Sequence, residues 1–496
     1  MKIAKYCLAP ALIVLAMSVR VNAQTAPSSV PNNITGRTAS YVSGPAQTGF
    51  IDLLLGAEYT DNALLSSGPR TRDGIGEAGL DVDYARQGNL SLALLGNVVR
   101  LDYVHHTFPG NFYGHFFGSA MFGKSSDPLQ WQLRDAFGEA TPDPLAAPTP
   151  QNLEVINDVS TGPLVNLHFG LTNRLTLDGN YSRTTYQRSP FDSQTYGGGV
   201  QFMHALSGVS SLAIEASTAK TQYLQGAALR IRLGGPIPSY TIRQAFVSYS
   251  SKFVRTNVML NVGYNTIGYE SGPTRGAPLY ELDVSHRITP FSTVTLSGQS
   301  SYSTNGSSLG APQTQMALQA GASLSPAYSV AEPYNQRLGT LGWIFHRART
   351  RVLIMGTVEQ VIFDHVAPAG LSQSPYNDNY VEEGGDLMIG RQLRPSVSIQ
   401  LRASADALSY SNLNASTRRE SVQLTFSKQF RRAAIWVYAE RLHESGVQGV
   451  STFLAASYND DVVGFYVTFD LLGQRPPGSS IGGTPSLTGM GFIGGY

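Results

Sequence analysis

From residue 49 onward, apolar and polar positions alternate along the chain, in stretches broken by turns rich in Gly, Pro, Asn and Ser. Ile51, Leu53, Leu55, Ala57 and Tyr59 fall on one side, and Asp52, Gly56, Glu58 and Thr60 on the other. Leu80, Val82 and Tyr84 alternate with Gly79, Asp81 and Asp83; Tyr280, Leu282 and Val284 with Glu281, Asp283 and Ser285. Val397, Ile399 and Leu401 oppose Ser398, Gln400 and Arg402, and Val463, Phe465, Val467 and Phe469 oppose Gly464, Tyr466, Thr468 and Asp470. Successive strand side chains point to opposite faces, so a period of two predicts strands with one apolar and one polar face. The pattern continues to about residue 471 without a helical period, and no later apolar run is long enough for a helical span.

Such strands fit a soluble sandwich or a barrel in a membrane. The segments are longer than soluble strands, which average five or six residues, and they reach the roughly 9 to 11 needed to cross a bilayer at a tilt. Backbone groups facing lipid must pair within the sheet, which requires closure. The prediction is therefore an all-β chain forming a transmembrane antiparallel outer-membrane β-barrel of about 18 to 20 strands.

Connection lengths alternate as well. Short turns are expected at Arg86-Gln87-Gly88, Leu171-Thr172-Asn173, Leu206-Ser207-Gly208, Arg347-Ala348-Arg349 and Gln429-Phe430-Arg431, with long polar connections at 61–72, 140–157, 224–238, 305–335 and 364–375. Outer-membrane barrels carry short periplasmic turns and long outer loops, so this parity places both termini in the periplasm. A strand near 158–169 is expected, and Met316–Leu324 is a further strand candidate inside a long loop.

The first residues read as an export signal: Lys2 and Lys5, then the apolar run Cys7–Val19, then a small-residue cleavage site at Val21-Asn22-Ala23. The expected layout is a signal peptide at 1–23, a periplasmic segment at 24–48, the barrel at 49–471 and a Gly/Pro/Ser tail at 472–496. Cys7 is the single cysteine, so cleavage would leave no disulfide, thiolate metal site or cysteine nucleophile.

Charge changes the picture only inside the barrel. Charged residues make up 14% of the chain and the net charge is +1, without a basic run to follow a nucleic-acid backbone. The polar faces supply a lumen wall of both signs, with Asp81, Asp83, Arg100, Asp102, Arg134, Glu281, Asp283, Arg287, Gln400, Arg402 and Asp406 as candidate lining residues. Mixed charge argues against a narrow anion filter, which would favour a ring of cationic side chains. No arrangement of residues specifies catalysis, a metal or a cofactor. His105 and His106 stand near serines with no fixed partner, and the Asn459-Asp460-Asp461 triplet lacks the spacing of a calcium loop. About 25 residues would precede the first strand, too few for a plug domain, so constriction is expected from loops folding inward.

The opening segment Gly49–Ser67, GFIDLLLGAEYTDNALLSS, with Tyr59, Asp61 and Asn62 in a Y-x-DN arrangement, resembles the first strand of exopolysaccharide-associated outer-membrane β-barrel proteins of the VpsM/EpsL-like group. The polar connection through Pro148-Thr149-Pro150-Gln151-Asn152 is similar too. That resemblance implies passive export of a polysaccharide chain through a polar lumen, beside periplasmic export or synthesis proteins. A general or solute-specific uptake porin is the alternative.

The alternation makes a direct prediction. Leu282 faces lipid and Asp283 the lumen, and an Arg on the lipid face near midplane costs about 2 to 4 kcal/mol. Leu282→Arg should impair assembly into the outer membrane far more than Asp283→Asn, as measured by the yield of heat-modifiable barrel in membrane fractions. Equal yields would show the faces to be reversed.

Overall fold

Strands that are polar on one face and apolar on the other leave a row of unpaired backbone groups at each edge until the sheet meets itself. The computed structural model describes residues 47–472 apart from 125, 144, 225–237, 305–331, 365–377, 412–414 and 448–456. In it one 20-stranded sheet closes completely. The strands are β1 (Gln47–Thr60), β2 (Asp73–Arg86), β3 (Leu90–Tyr103), β4 (Asn111–Phe122), β5 (Leu129–Ala140), β6 (Glu154–Phe169) and β7 (Asn173–Tyr186). They continue as β8 (Ser193–Ala205), β9 (Ser210–Tyr223), β10 (Tyr240–Lys252), β11 (Thr256–Tyr269), β12 (Thr274–Thr289), β13 (Ser292–Ser303) and β14 (Tyr334–Arg347). The last six are β15 (Thr350–Phe363), β16 (Tyr380–Arg394), β17 (Val397–Tyr410), β18 (Ser416–Gln429), β19 (Ala433–Val447) and β20 (Tyr458–Asp470). Each pairs antiparallel with its sequence neighbours, and β1 pairs with β20.

Polarity is inverted relative to a soluble core, which excludes the sandwich. Leu53, Leu55 and Tyr59 of β1 are exposed, while Asp52, Glu58 and Thr60 between them are buried. In β20, Val463, Phe465 and Phe469 are exposed, and Tyr466, Thr468 and Asp470 are buried. The wall thus turns an apolar surface outward and a largely polar one inward, the fold of an outer-membrane β-barrel.

Several expected boundaries shift. The barrel runs from 47 to 470 rather than 49 to 471, and β6 starts at Glu154, so the expected 140–157 connection shortens to 141–153. The expected signal peptide, the tail from 473 onward and Met316–Leu324 lie outside the described residues. At one rim the turns are tight: between β14 and β15 only Ala348 and Arg349 intervene, and Ala348 takes a left-handed φ of 49°, as two-residue hairpin turns require.

Two side chains face the other way from expectation. β3 pairs with β2 through Leu101↔Glu77 and Tyr103↔Ile75, which puts Val99, Leu101 and Tyr103 inside. Arg100 and Asp102, expected in the lumen, therefore project outward, where they form an exposed ion pair at 2.8 Å. Arg100 lies over the Phe112 ring, 5.8 Å from its centroid. Tyr103 is buried inside.

Two joints in the wall are less regular. The β4–β5 ladder covers only Phe116–Phe122 against Phe137–Trp131. Beyond it, Gly114 adopts a φ of 131° against the Asn97 carbonyl, where an added Cβ would sit 2.3 Å from the oxygen. Its N–H donates to Glu139 Oε1 at 2.6 Å, replacing the missing ladder bond. The closing β1–β20 joint pairs Asp52–Thr60 with Asp470–Val462 and is fastened at the long-loop rim by the Y-x-DN segment. Thr60 Oγ1 donates to Asp460 Oδ1 at 2.6 Å, and the Asn62 N–H donates to the same oxygen at 3.2 Å. Asn62 Nδ2 donates to the carbonyls of Asn459 (2.9 Å) and Ser66 (3.0 Å), and Asp61 and Asp461 exchange backbone and carboxylate bonds. Asn459-Asp460-Asp461 is thus half of a fastening.

Removing Asn62 strips three side-chain hydrogen bonds and leaves buried partners unmet, a loss of about 2 to 4 kcal/mol. Asn62→Ala should unfold at a lower temperature, read as the point at which the fast-migrating band of unboiled protein disappears in detergent gels. An unchanged transition would mean that the joint does not depend on this residue.

Candidate functional site: a strap across the lumen

The β5–β6 connection, residues 141–153, begins Thr-Pro-Asp and ends Pro-Thr-Pro-Gln-Asn-Leu. Proline at 142, 148 and 150 removes backbone donors and fixes φ, so this stretch cannot extend the sheet. Asn152 closes it on itself: its Nδ2 donates to the carbonyls of Asp143 (2.7 Å), Ala146 and Ala147 (both 3.2 Å), and its Oδ1 accepts from the Asp143 N–H at 2.9 Å. Asp143 Oδ1 accepts from the backbone of Leu145 at 3.1 Å. The result is a compact loop held by two short polar side chains, the usual chemistry of an Asx turn.

Compactness lets the loop reach inward as a unit. Leu153, at its base, packs with Leu54, Ile75, Val99, Tyr438 and Val462, on walls β1–β3 and β19–β20. Ala147 rests on Leu65, Leu442 and Tyr458. Leu145, 1% exposed, is buried with Tyr334, Phe363, Tyr380, Leu408 and Tyr410, which come from β14–β17. In a ring of twenty strands β5–β6 and β15–β16 are ten places apart, so the loop spans the lumen as a strap and its tip leans on the far wall. Apolar burial of Leu145 and Leu153 supplies the adhesion, on the order of 2 kcal/mol per side chain. Arg188 Nη1 adds a bond to the Gln151 carbonyl at 2.7 Å, and the Glu154 carboxylate gathers Arg188 N (2.7 Å) and Ser189 Oγ (2.5 Å), tying the strap to the β7–β8 connection.

The strap divides the interior. On the β15–β20 and β1 side, inward residues such as Gln400, Gln423, Thr425, Trp436, Thr468 and Asp52 are buried. On the β9–β14 side, Ser217, Gln244, Glu281, Asp283, Ser297 and Thr340 are half-buried, while Glu215, Ser248, Asn261, Asn265 and Ser300 are buried.

The expected lining residues separate accordingly. Asp81, Asp83, Arg134, Glu281, Asp283, Arg287, Gln400, Arg402 and Asp406 occupy inward positions of their strands. Glu281 and Asp283 are half-buried, and Asn261 Nδ2 donates to Glu281 Oε2 at 2.7 Å. Arg402 reaches Asp386 Oδ1 at 3.2 Å, and Gln400 and Asp406 lie on the covered side. Arg100 and Asp102 are outside, as described. Sequence reasoning missed Glu382, Asp386, Arg419 and Glu444. Outward-facing Leu387 and Ile389 signalled the inward placement of Asp386, whereas Arg419 and Glu444 are flanked by polar residues that give no such signal. His105 serves its own turn: its Nδ1 lies 3.0 Å from Asp73 Oδ1, which also accepts from the His105 N–H.

No protein-family model matches this chain, and no curated protein sequence does. Among solved structures it is similar to the siderophore receptor PirA from Pseudomonas aeruginosa, at 12% identity and a TM-score of 0.40, over 86% of this chain and 81% of that one. It is similar also to the ferric citrate transporter FecA (10%, TM-score 0.42, 89% and 83%) and to the FrpB iron transporter from Neisseria meningitidis (8%, TM-score 0.40, 85% and 82%). Likeness at this level bears on neither substrate nor mechanism.

Proposed function

We propose that the chain is an outer-membrane channel for passive passage of small polar solutes, oriented with its tight turns in the periplasm and its long connections outside. The observation that carries this reading is the strap, with Leu145 and Leu153 buried against different walls of the lumen. An exopolysaccharide export route, which the opening strand's resemblance implies, needs a cross-section that a hydrated polymer can occupy along its whole length. A polymer would have to displace the strap and expose both leucines. A small solute can instead follow the half-buried Glu281, Asp283 and Ser297 wall, exchanging water hydrogen bonds for those of the wall as it goes.

Purified protein in planar lipid bilayers tests this reading. The wild type should give discrete conductance steps. Leu145→Asp, which detaches the tip from its apolar seat, should raise single-channel conductance severalfold while the protein keeps its heat-modifiable mobility. Replacement of 142–152 by a short Gly/Ser linker should raise it further. Closed membranes with all three proteins would overturn the reading. So would a deletion strain that loses surface polysaccharide while liposomes bearing the protein admit no small sugars or amino acids.

A further inference from the structure

On the far wall, under the strap's tip, three carboxylates face the interior from adjacent strands. Glu359 of β15 stands directly across from Glu382 of β16, and Asp406 of β17 is paired with Gly384, one inward position along from Glu382. Like charges directly opposed across a ladder destabilise it, so this sector needs a counter-charge. Among the described residues the inward cations of β15–β19 are Arg402, Arg419 and, four inward positions away from Glu359 toward the short-turn rim, Arg351. Arg402 bonds Asp386 at 3.2 Å and Arg419 bonds Glu444 at 2.8 Å. The charge of Arg419 also reaches Glu382 and Asp406, but one guanidinium cannot offset four carboxylates.

Hydrogen bonding is short in the same place. Glu359 Oε1 accepts from Gln336 Nε2 at 2.7 Å, but its Oε2 has no partner among the described residues, and neither does Glu382 Oε2 or Asp406 Oδ1. These side chains are 1%, 5% and 9% exposed. A buried acceptor left open calls for a specific occupant, because its desolvation is otherwise uncompensated.

The surroundings narrow the chemistry. Tyr380 and Tyr410, with ring centroids 5.8 Å apart, and Leu408 form an apolar roof one step nearer the long-loop rim, closed by Leu145. One step the other way, Thr357, Gly384 and Ser404 are half-buried. A Cβ on Gly384 would meet Thr357 Oγ1 at 3.3 Å and Asp406 Cβ at 3.5 Å, so the missing side chain keeps the floor open. Among the described residues no three His, Cys, Asp or Glu side chains converge closely enough to ligate a metal ion. An extended cation suits this spacing better, since its several N–H donors reach acceptors on different strands and its alkyl part meets the tyrosine roof.

We propose that Glu359, Glu382 and Asp406 form a binding subsite for an organic cation, a primary amine or guanidinium, in the lumen beneath the strap. The proposal rests on the reading that small solutes enter this lumen, and it names the class that this part of the wall selects.

The test uses the full barrel purified in detergent at low ionic strength and neutral pH, titrated with putrescine. Saturable binding with a raised unfolding temperature is expected. Glu382→Gln and Asp406→Asn should each weaken that binding by about tenfold or more, the scale of one lost charged hydrogen bond. Glu383→Gln, on the exposed outward face of the same strand, should leave it unchanged. Neutralising a repelled carboxylate does not endanger folding; heat-modifiable mobility checks each variant, and Glu359→Gln replaces any that fails. Absence of saturable putrescine binding, binding of magnesium in its place, or unchanged affinity in the variants would overturn the proposal. Conductance of the same preparation separates the two readings: a conducting barrel that ignores putrescine rejects the subsite alone, and a putrescine-binding barrel that never conducts rejects solute passage alone.

Discussion

The whole structure depends on one requirement, that no backbone N–H or C=O be left without a partner where lipid takes the place of water. A strand wall meets it only by closing, and closure brings together β1 and β20, the ends of the sheet in sequence. That joint pairs over a shorter stretch than β1 with β2, so side chains supplement the ladder. Asp61 and Asn62 on one strand end and the triplet Asn459-Asp460-Asp461 on the other take on the work of fastening it. The β4–β5 joint meets the same requirement differently, with the Glu139 carboxylate standing in for a carbonyl.

Closure also creates an interior that must be filled or wetted. Here a proline-stiffened loop and the aromatic side chains it meets fill part of it, and a second cluster about Tyr240, Ile267 and Tyr269 fills another. On β15–β19 the inward carboxylates Glu359, Glu382, Asp386, Asp406, Glu440 and Glu444 are all buried. Where a partner exists the groups form ion pairs, as Arg419 does with Glu444.

Strand identity and facing were legible wherever the alternation was clean, as in β1, β12, β17 and β20, because exposure to lipid leaves no tolerance for a misplaced charge there. The pattern failed in β3, where Leu94-Leu95 and Val98-Val99 place apolar residues on both faces and leave the parity undefined. Arg100 and Asp102 follow that ambiguity, and as a mutual ion pair at a strand end they sit outside at little cost. Glu382 was hidden for a related reason, since Glu382-Glu383-Gly384-Gly385 offers no apolar marker of its own. The expectation that loops narrow the lumen was sound in kind, but no local pattern could show that Leu145 ends among residues from β14–β17. Contacts across a ring join positions about two hundred residues apart, and only the folded wall brings them together.

A twenty-stranded cylinder is a thin shell, easily squeezed into an ellipse because hinging between neighbouring strands breaks no hydrogen bonds. The strap, rooted in β5–β6 and seated on β14–β17, spans that shell as a cross-brace. It ties the separation of two distant walls to the seating of one leucine. Any change in the cross-section of the shell is therefore coupled to the contact that Leu145 makes with the far wall.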